Sequence, residues 1–256
     1  PGEPALHIWG SVRDILQGNE RWQMRILNRL SNDRYRNAFR MTQGTMRSVL
    51  QQINDERPKL IIAYAQSIYE LARFAEREGI AVVPQQAVVT SAGTLDPAMR
   101  TTIESEFGCR VFDRYGSREV GDIAAECEQH TGLHVFPFGN YVEILGEDGQ
   151  PVPDGVEGNI VVTNLNNYAM PMIRYAIGDR GVMAQGGVCG CGRSGQILQR
   201  VSGRVVDVFL KQDGTHVDGA CFFHMLRSRD WVRQFQIVQA DYDRVIFRVA
   251  PQGASR

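Results

Sequence analysis

The sequence predicts an α/β fold, a parallel sheet covered by helices, followed by a β-rich stretch and a small α+β unit. Three observations carry that expectation. Between Pro58 and Gly116, apolar runs of strand length alternate with segments of helical periodicity, the pattern of parallel strands joined by crossover helices. After residue 130 the runs shorten and are separated by Gly, Pro, Asn and Asp turns such as "EDGQPVPDG", which suits antiparallel strands. The 256 residues are 43% hydrophobic and 22% charged, a globular composition long enough for one large domain or a domain plus part of another.

Taken in order, "ALHIWG" (5–10) reads as a short buried strand closing in a glycine turn. Apolar residues recur at helical spacing from Thr45 to Ile53 and again from Ala65 to Arg77, where Ile68, Leu71, Ala72 and Ala75 would share one face. Between these helices Pro58 precedes "KLIIAY", a β-type run, and "AVVTSAG" (87–93) is a further strand ending in small residues. In "DPAMRTTIESEFG" (96–108), Asp96 is placed to cap a helix, Pro97 occupies its first position, and Gly108 stops it. "CRVFDRYG" follows as a strand; "LHVF", "NYVEILG", "NIVVTNL" and "GVMAQGG" are the short strands of the β-rich part. After "RVSGR" (200–204) come a strand, an Asp-Gly turn, a helix, a strand, the "ADYD" turn and a last strand. The expected division is therefore a large domain over 1–202, with 130–202 its β-rich part, and a small α+β domain over 203–256 that stops mid-fold.

Composition excludes some functions. A formal net charge of −1 lacks the basic excess of an electrostatically driven nucleic-acid binder. The local basic bias from Arg21 to Arg47 is broken by Glu20 and Asp33 at its edges and within, and reads as a solvated helix face. No apolar run approaches the roughly 18–20 residues that span a bilayer, and the start shows no signal-peptide pattern. The five cysteines are odd in number and include Cys189-Gly-Cys191, a pair poorly placed for separate disulfides, so a reduced, cytoplasmic setting is expected.

Two glycine-bearing turns come next. "TSAGT" (90–94) and "RYGSRE" (114–119) both close predicted strands and lead toward helices, and this edge of an open α/β sheet is where ligands bind. Small residues admit close backbone approach, and Ser and Thr hydroxyls can bond phosphate or ribose. Glu119 would fall in the first turn of a helix, where an acid equally serves to complement the helix dipole. In "AMPMIRYAIGDRG" (169–181), Asp179 follows a Tyr-x-x-Gly bend; it could accept both ribose hydroxyls or be a simple turn residue. Arg204 and Asp207 of "SGRVVD" flank the proposed boundary.

The cysteines give a sharper signal. Cys127, His134, Cys189 and Cys191 total four soft or borderline ligands, the number of a closed tetrahedral zinc site. The competing reading treats buried cysteine as a small hydrophobe and His134 as a strand residue. Glycines flanking both cysteines of "VCGCGR" make a poor core but a good metal knuckle. Cys109 and Cys221 read as ordinary buried residues.

In sequence order, "YGSRE", "AECEQHTGLHV", "YVEI", "GNIVVTNLNNYAMPMIRYAIGDRG", "CGCGR" and "VSGRVVD" resemble the successive motifs of the phenylacetate–coenzyme A ligase branch of adenylate-forming enzymes, which includes CapK-like proteins. The resemblance runs from roughly Pro58 to Asp207. It implies an adenylation domain followed by a small C-terminal domain, and ATP-dependent joining of an aryl or other small carboxylic acid to AMP, then to coenzyme A. It places Ser91, Ala92 and Gly93 near adenine and the acyl group, and Asp113, Arg114, Tyr115, Gly116 and Ser117 along adenine. It further implies Glu119 on Mg²⁺ at the phosphates, Asp179 on the ribose with Arg204 assisting, and Asp207 at the pivot of the small domain. Cys127, His134, Cys189 and Cys191 match a zinc site found in part of the branch.

Departures accompany the resemblance. Nothing before residue 58 matches the branch's Ser/Thr/Gly-rich phosphate loop, "TQGT" (42–45) being too short and without lysine. The lysines are Lys59 and Lys211, and none stands late in the small domain, where the branch uses one at the α-phosphate. Ile177 and Val206 replace a usual threonine and aspartate. The expectation is a central-to-C-terminal fragment with little turnover by itself. The alternative is a non-catalytic, zinc-stabilised nucleotide-binding or scaffold protein of capsule or secondary-metabolite biosynthesis. No nucleic-acid or membrane partner is expected.

Overall fold

The computed structural model describes residues 3–10, 22–38, 41–204, 208–214, 216–218, 222, 226, 229 and 231–251. These residues form two compact units, Pro1–Asn140 with Gly187–Ile197, and Tyr141–Gly186 with Leu198–Arg256.

In the first unit, five parallel strands lie in the order β2 (Asp33–Arg36), β1 (Ala5–Ile8), β3 (Leu60–Tyr64), β4 (Ala87–Ser91) and β5 (Arg110–Ser117). Two antiparallel strands, β6 (Gly121–Glu126) and β7 (Leu133–Val135), extend it. The helices are α1 (Trp22–Ser31), α2 (Gln43–Glu56), α3 (Ala65–Glu78) and α4 (Pro97–Phe107). The predicted stripe of α3, Ile68, Leu71, Ala72 and Ala75, is buried together with Ile61, Val88 and Val111 of the sheet and Ile103 and Phe107 of α4. Burying such a stripe against the sheet is what holds a helix of this length, since isolated short helices are marginal in water. The ends of α4 follow local chemistry. Asp96 accepts the Met99 N–H at 2.8 Å, Pro97 opens the first turn, and Gly108 closes the helix at φ +57°. Strand β2 was not foreseen. Its residues alternate half-buried and exposed at the sheet edge, so its charged sequence resembles a solvated face.

The segment after "RYGSRE" differs from expectation. No helix begins there: residues 118–120 turn, and the chain returns as β6, antiparallel to β5. Two local features produce the reversal. Ser117 Oγ accepts the Val120 N–H at 3.2 Å, and Gly121 takes φ +83°, a left-handed conformation that favours glycine.

The second unit holds β8 (Asn140–Leu145), β9 (Glu157–Asn164), β10 (Tyr175–Met183) and β11 (Ile197–Arg204), ordered β11-β10-β9-β8, with β10 antiparallel to both its neighbours. Ile144, Ile160, Val162, Val182 and Leu198 are buried. Strand β10 begins earlier than "GVMAQGG" suggested. The Tyr-x-x-Gly bend is a bulge inside it, with the register shifting between Ala176 and Arg180 and Gly178 at φ +84°. Two hairpins complete the unit, β12 (Val208–Leu210) with β13 (His216–Asp218), and β14 (Val232–Asp241) with β15 (Arg244–Pro251). The helix expected between these hairpins lies largely outside the described residues, though Phe222 and Leu226 are helical. Strand β11 runs through the 202/203 position, and residues 205–207 beyond it lie outside the described residues; the boundary there stays an expectation. The stretch 130–202, taken as one β-rich segment from the sequence, is shared between the two units.

Candidate functional site

Cys127 follows the end of β6, His134 lies in β7, and Cys189 and Cys191 sit on the 187–197 segment that returns to the first unit. Their ligating atoms all lie within 4.8 Å of one another. Cys127 Sγ is 3.6 Å from Cys189 Sγ, and Cys191 Sγ is 3.5 Å from His134 Nε2. The sulfur separation is far beyond the roughly 2.05 Å of a disulfide, and these three cysteines are free thiols. Bonds of about 2.3 Å to sulfur and 2.0–2.1 Å to nitrogen at tetrahedral angles require ligand edges of about 3.8 and 3.6 Å. The donor set fits a tetrahedral ion.

The surrounding loops suit the same donor set. The Gln129 N–H donates to Cys127 Sγ, and the Arg193 N–H donates to Cys191 Sγ, both at 3.4 Å. Each bond stabilises sulfur in its thiolate form, the form that binds metal. His130 at φ +51° and Gly192 at φ +79° close the matching turns, their N–H groups reaching the Cys127 and Cys189 carbonyls at 3.1 Å each. The Thr131 hydroxyl, 3.3 Å from Cys189 Sγ, is the largest influence holding that thiol down, to about 6. Burial pushes the neighbouring Cys127 thiol up instead. An ion pair between Arg193 and Glu128 at 2.8 Å straps the two loops. Sequence reasoning missed Thr131 and this strap; an acid just after Cys127 and a base just after Cys191 were the available signals. Cys109 lies apart, half-buried against the core, and burial raises its thiol to about 11. Cys221 lies outside the described residues.

The second cluster lies at the carboxyl ends of β4 and β5. Ser91 is buried, Ala92 adopts φ +55°, and a Cβ added to Gly93 would meet only Ala65 Cβ at 3.8 Å. Thr90 pairs across the sheet with Asp113, and its hydroxyl donates to Asp113 Oδ1 at 3.0 Å. Asp113 Oδ1 also accepts the Arg114 N–H at 3.0 Å. Burial raises the Asp113 carboxyl to about 6; the Thr90 bond opposes that rise and nearby Glu126 adds to it. The Arg114 guanidinium pairs with Asp122 at 3.2 Å and lies 5.5 Å from the centre of the Trp9 ring, which packs on Tyr64 at 4.4 Å. Trp9 and Tyr64 carried no functional signal in the sequence. Tyr115 is half-buried opposite Ala124.

Gly116 is required by packing, since a Cβ there would lie 2.5 Å from the Gly121 carbonyl oxygen. Glu119 sits exposed in the β5–β6 turn, so complementation of a helix dipole does not apply to it. In the second unit, Asp179 is buried, next to Gly178 in the bulge, and its backbone pairs with Arg204. The Arg204 side chain and Asp207 lie outside the described residues. Thus the first unit brings Ser91, Ala92, Gly93 and Asp113 to Ser117 onto one sheet edge, and the second sets Asp179 beside Arg204.

Comparison with known proteins adds a family context. No family model matches the chain. The phenylacetate–coenzyme A ligase of Thermus thermophilus is 30% identical over 169 residues, covering 62% of this chain and 37% of that protein. The CapK protein of Staphylococcus aureus is 25% identical over 146 residues, 56% of this chain and 30% of its own length. A crystal structure of 2-hydroxyisobutyryl-CoA ligase in the postadenylation state, in complex with 2-HIB-AMP, superposes with a TM-score of 0.71 at 20% identity. That match covers 99% of this chain and 55% of the ligase, and shows the shared fold. The chain thus spans well under half the length of these two curated relatives.

Proposed function

On the premise of this kinship with the phenylacetate–coenzyme A ligase and CapK-like branch of adenylate-forming enzymes, we propose that the chain carries the nucleotide edge of an ATP-dependent carboxylate ligase. A carboxylate is a poor electrophile until one oxygen joins a good leaving group. In the proposed reaction a carboxylate oxygen bonds the α-phosphorus of ATP, and the bond from that phosphorus to pyrophosphate breaks. A thiol, that of coenzyme A, then attacks the acyl carbon and AMP departs. Positioning and charge stabilisation supply most of the acceleration in such steps.

The observation that carries this reading is the side-by-side placement of Ser91–Gly93 and Asp113–Ser117 at the carboxyl ends of adjacent parallel strands, where α/β sheets bind ligands. The lack of a side chain at Gly93, where an added Cβ would touch only Ala65 Cβ at 3.8 Å, suits a closely approaching adenine or acyl group. Tyr115, with Arg114 and Gly116, would flank adenine, and the Glu119 carboxylate at the hairpin turn would hold Mg²⁺. Bound Mg²⁺ would neutralise phosphate charge. In the second unit Asp179, a buried acceptor, would take the ribose hydroxyls with Arg204 beside it. The Cys127, His134, Cys189 and Cys191 set would hold a structural zinc ion, whose binding energy is about 10 kcal/mol or more in small zinc-dependent peptides. The proposed acids are aryl or other small ones, and the proposed compartment is the cytoplasm.

The second reading is a zinc-stabilised nucleotide-binding or scaffold protein; Lys59 and Lys211 are the lysines of this sequence, and neither matches the late small-domain lysine that the resemblance implies at the α-phosphate. Binding rather than turnover is thus the expected property of the chain by itself. Calorimetric titration with AMP and with a non-hydrolysable acyl-adenylate analogue, beside carboxylate-dependent ATP–pyrophosphate exchange, tests both. Binding of AMP or of the analogue supports the nucleotide edge, and exchange adds the chemistry. Neither binding nor exchange across a panel of aryl and aliphatic acids refutes the ligase reading.

A further inference from the structure

Strand β5 begins before its antiparallel partner reaches it. Its pairing with β6 starts at Arg114 opposite Ala125, so residues 110–113 have no backbone partner on that side. Side chains take the place of the missing strand. The Val111 N–H donates to Glu104 of α4 at 2.9 Å, and Arg100, one helical turn earlier, donates to the Val111 carbonyl. The Asp113 N–H donates to Glu126 Oε2 at 2.8 Å.

Arg100 and Glu126 are the joint of this arrangement. Arg100 Nη2 reaches both carboxylate oxygens of Glu126, at 2.8 and 2.9 Å, and the two side chains are only 21% and 11% exposed. A buried carboxylate is costly unless paired, and a guanidinium gripping both oxygens fixes its direction as well as its charge. His130 Nδ1 lies 3.0 Å from Glu126 Oε2 and 3.1 Å from Arg100 Nη1. The next residue after Glu126 is Cys127 of the proposed metal knuckle, whose carbonyl accepts the His130 N–H.

We propose that Arg100 and Glu126 form a positioning clamp through which the filled metal knuckle stiffens the Asp113 end of the nucleotide edge. The clamp rests on the metal reading above. A metal ion fixes Cys127 and the 127–131 turn, which fixes the direction of the Glu126 carboxylate, which holds the Asp113 amide. Neither residue is assigned a step in the reaction; both act through Asp113.

Hydrogen exchange of the full chain, resolved over residues 109–117 in zinc-loaded and chelated protein, tests the coupling without requiring turnover. Zinc is expected to slow exchange of the Asp113 amide by about tenfold or more, equivalent to about 1.4 kcal/mol. In Arg100→Ala, with zinc still bound, the slowing should vanish. Should that variant fail to fold, Arg100→Lys, which keeps the charge but loses the planar fork, should show a clearly smaller effect than the natural protein. Glu126→Gln, which retains an acceptor for the Asp113 N–H but loses the charge, should keep only part of the slowing. Zinc bound at about one per chain without slowing at Asp113 overturns the clamp alone, as does undiminished slowing in the Arg100 variants. Failure to bind zinc overturns the metal reading and the clamp with it.

Discussion

Asp113→Asn is expected to change how the stability of this protein depends on pH. In the fold the Asp113 carboxyl is raised to about 6, chiefly by burial, against about 3.9 for an exposed aspartate. The folded state therefore holds the proton more tightly than the unfolded chain. The resulting stabilisation is complete below about pH 3.9 and is lost as pH rises through about 6. At 1.36 kcal/mol per pKa unit, the loss amounts to roughly 3 kcal/mol between pH 4 and 7.5. Asparagine preserves the Oδ1 acceptor for the Thr90 hydroxyl and the Arg114 N–H but does not ionise. Urea unfolding of both proteins at fixed ionic strength isolates the effect, because titrating groups not coupled to Asp113 cancel in the difference. The variant should gain stability relative to the natural protein by roughly 2–3 kcal/mol over that interval. A difference that stays flat, or that grows in favour of aspartate with rising pH, would refute the assignment of a buried, destabilised carboxylate at this edge.

Purified protein is expected to carry about one zinc per chain, with Cys189→Ser losing the metal and much of its thermal stability; metal analysis near zero for the unaltered chain would dismiss the knuckle. Two glycines should separate packing from binding. Gly116→Ala places a Cβ against the Gly121 carbonyl oxygen and should cost about 1–3 kcal/mol in urea unfolding. Gly93→Ala meets only the Ala65 methyl at ordinary distance, so stability should hold while AMP affinity falls. Unchanged AMP affinity in Gly93→Ala would remove that residue from the site.

Much of the arrangement was legible along the chain because it depends on neighbours in sequence. Asp96, Pro97 and Gly108 bound α4 through their own backbone preferences, and the stripe from Ile68 to Ala75 declared its buried face by spacing. The gathering of Cys127, His134, Cys189 and Cys191 was expected for a similar reason, since "CGCG" has no good use in a core and two separated soft donors stand upstream. What followed Ser117 was not readable. An acid after a glycine-bearing strand end suits a helix start as well as a hairpin, and Gly121 and the Ser117 hydroxyl decide the outcome only once β6 has a partner.

The residues by themselves thus determined the bounds of α4, the buried face of the Ala65–Glu78 helix, and which side chains carry soft donors. Tertiary structure alone decided that Cys127 and Cys189 meet at 3.6 Å, that burial lifts the Asp113 carboxyl, and that Arg100 and Glu126 close upon each other from separate elements. Distance, desolvation and charge pairing depend on atoms far apart in the chain. Local spacing carries no record of them.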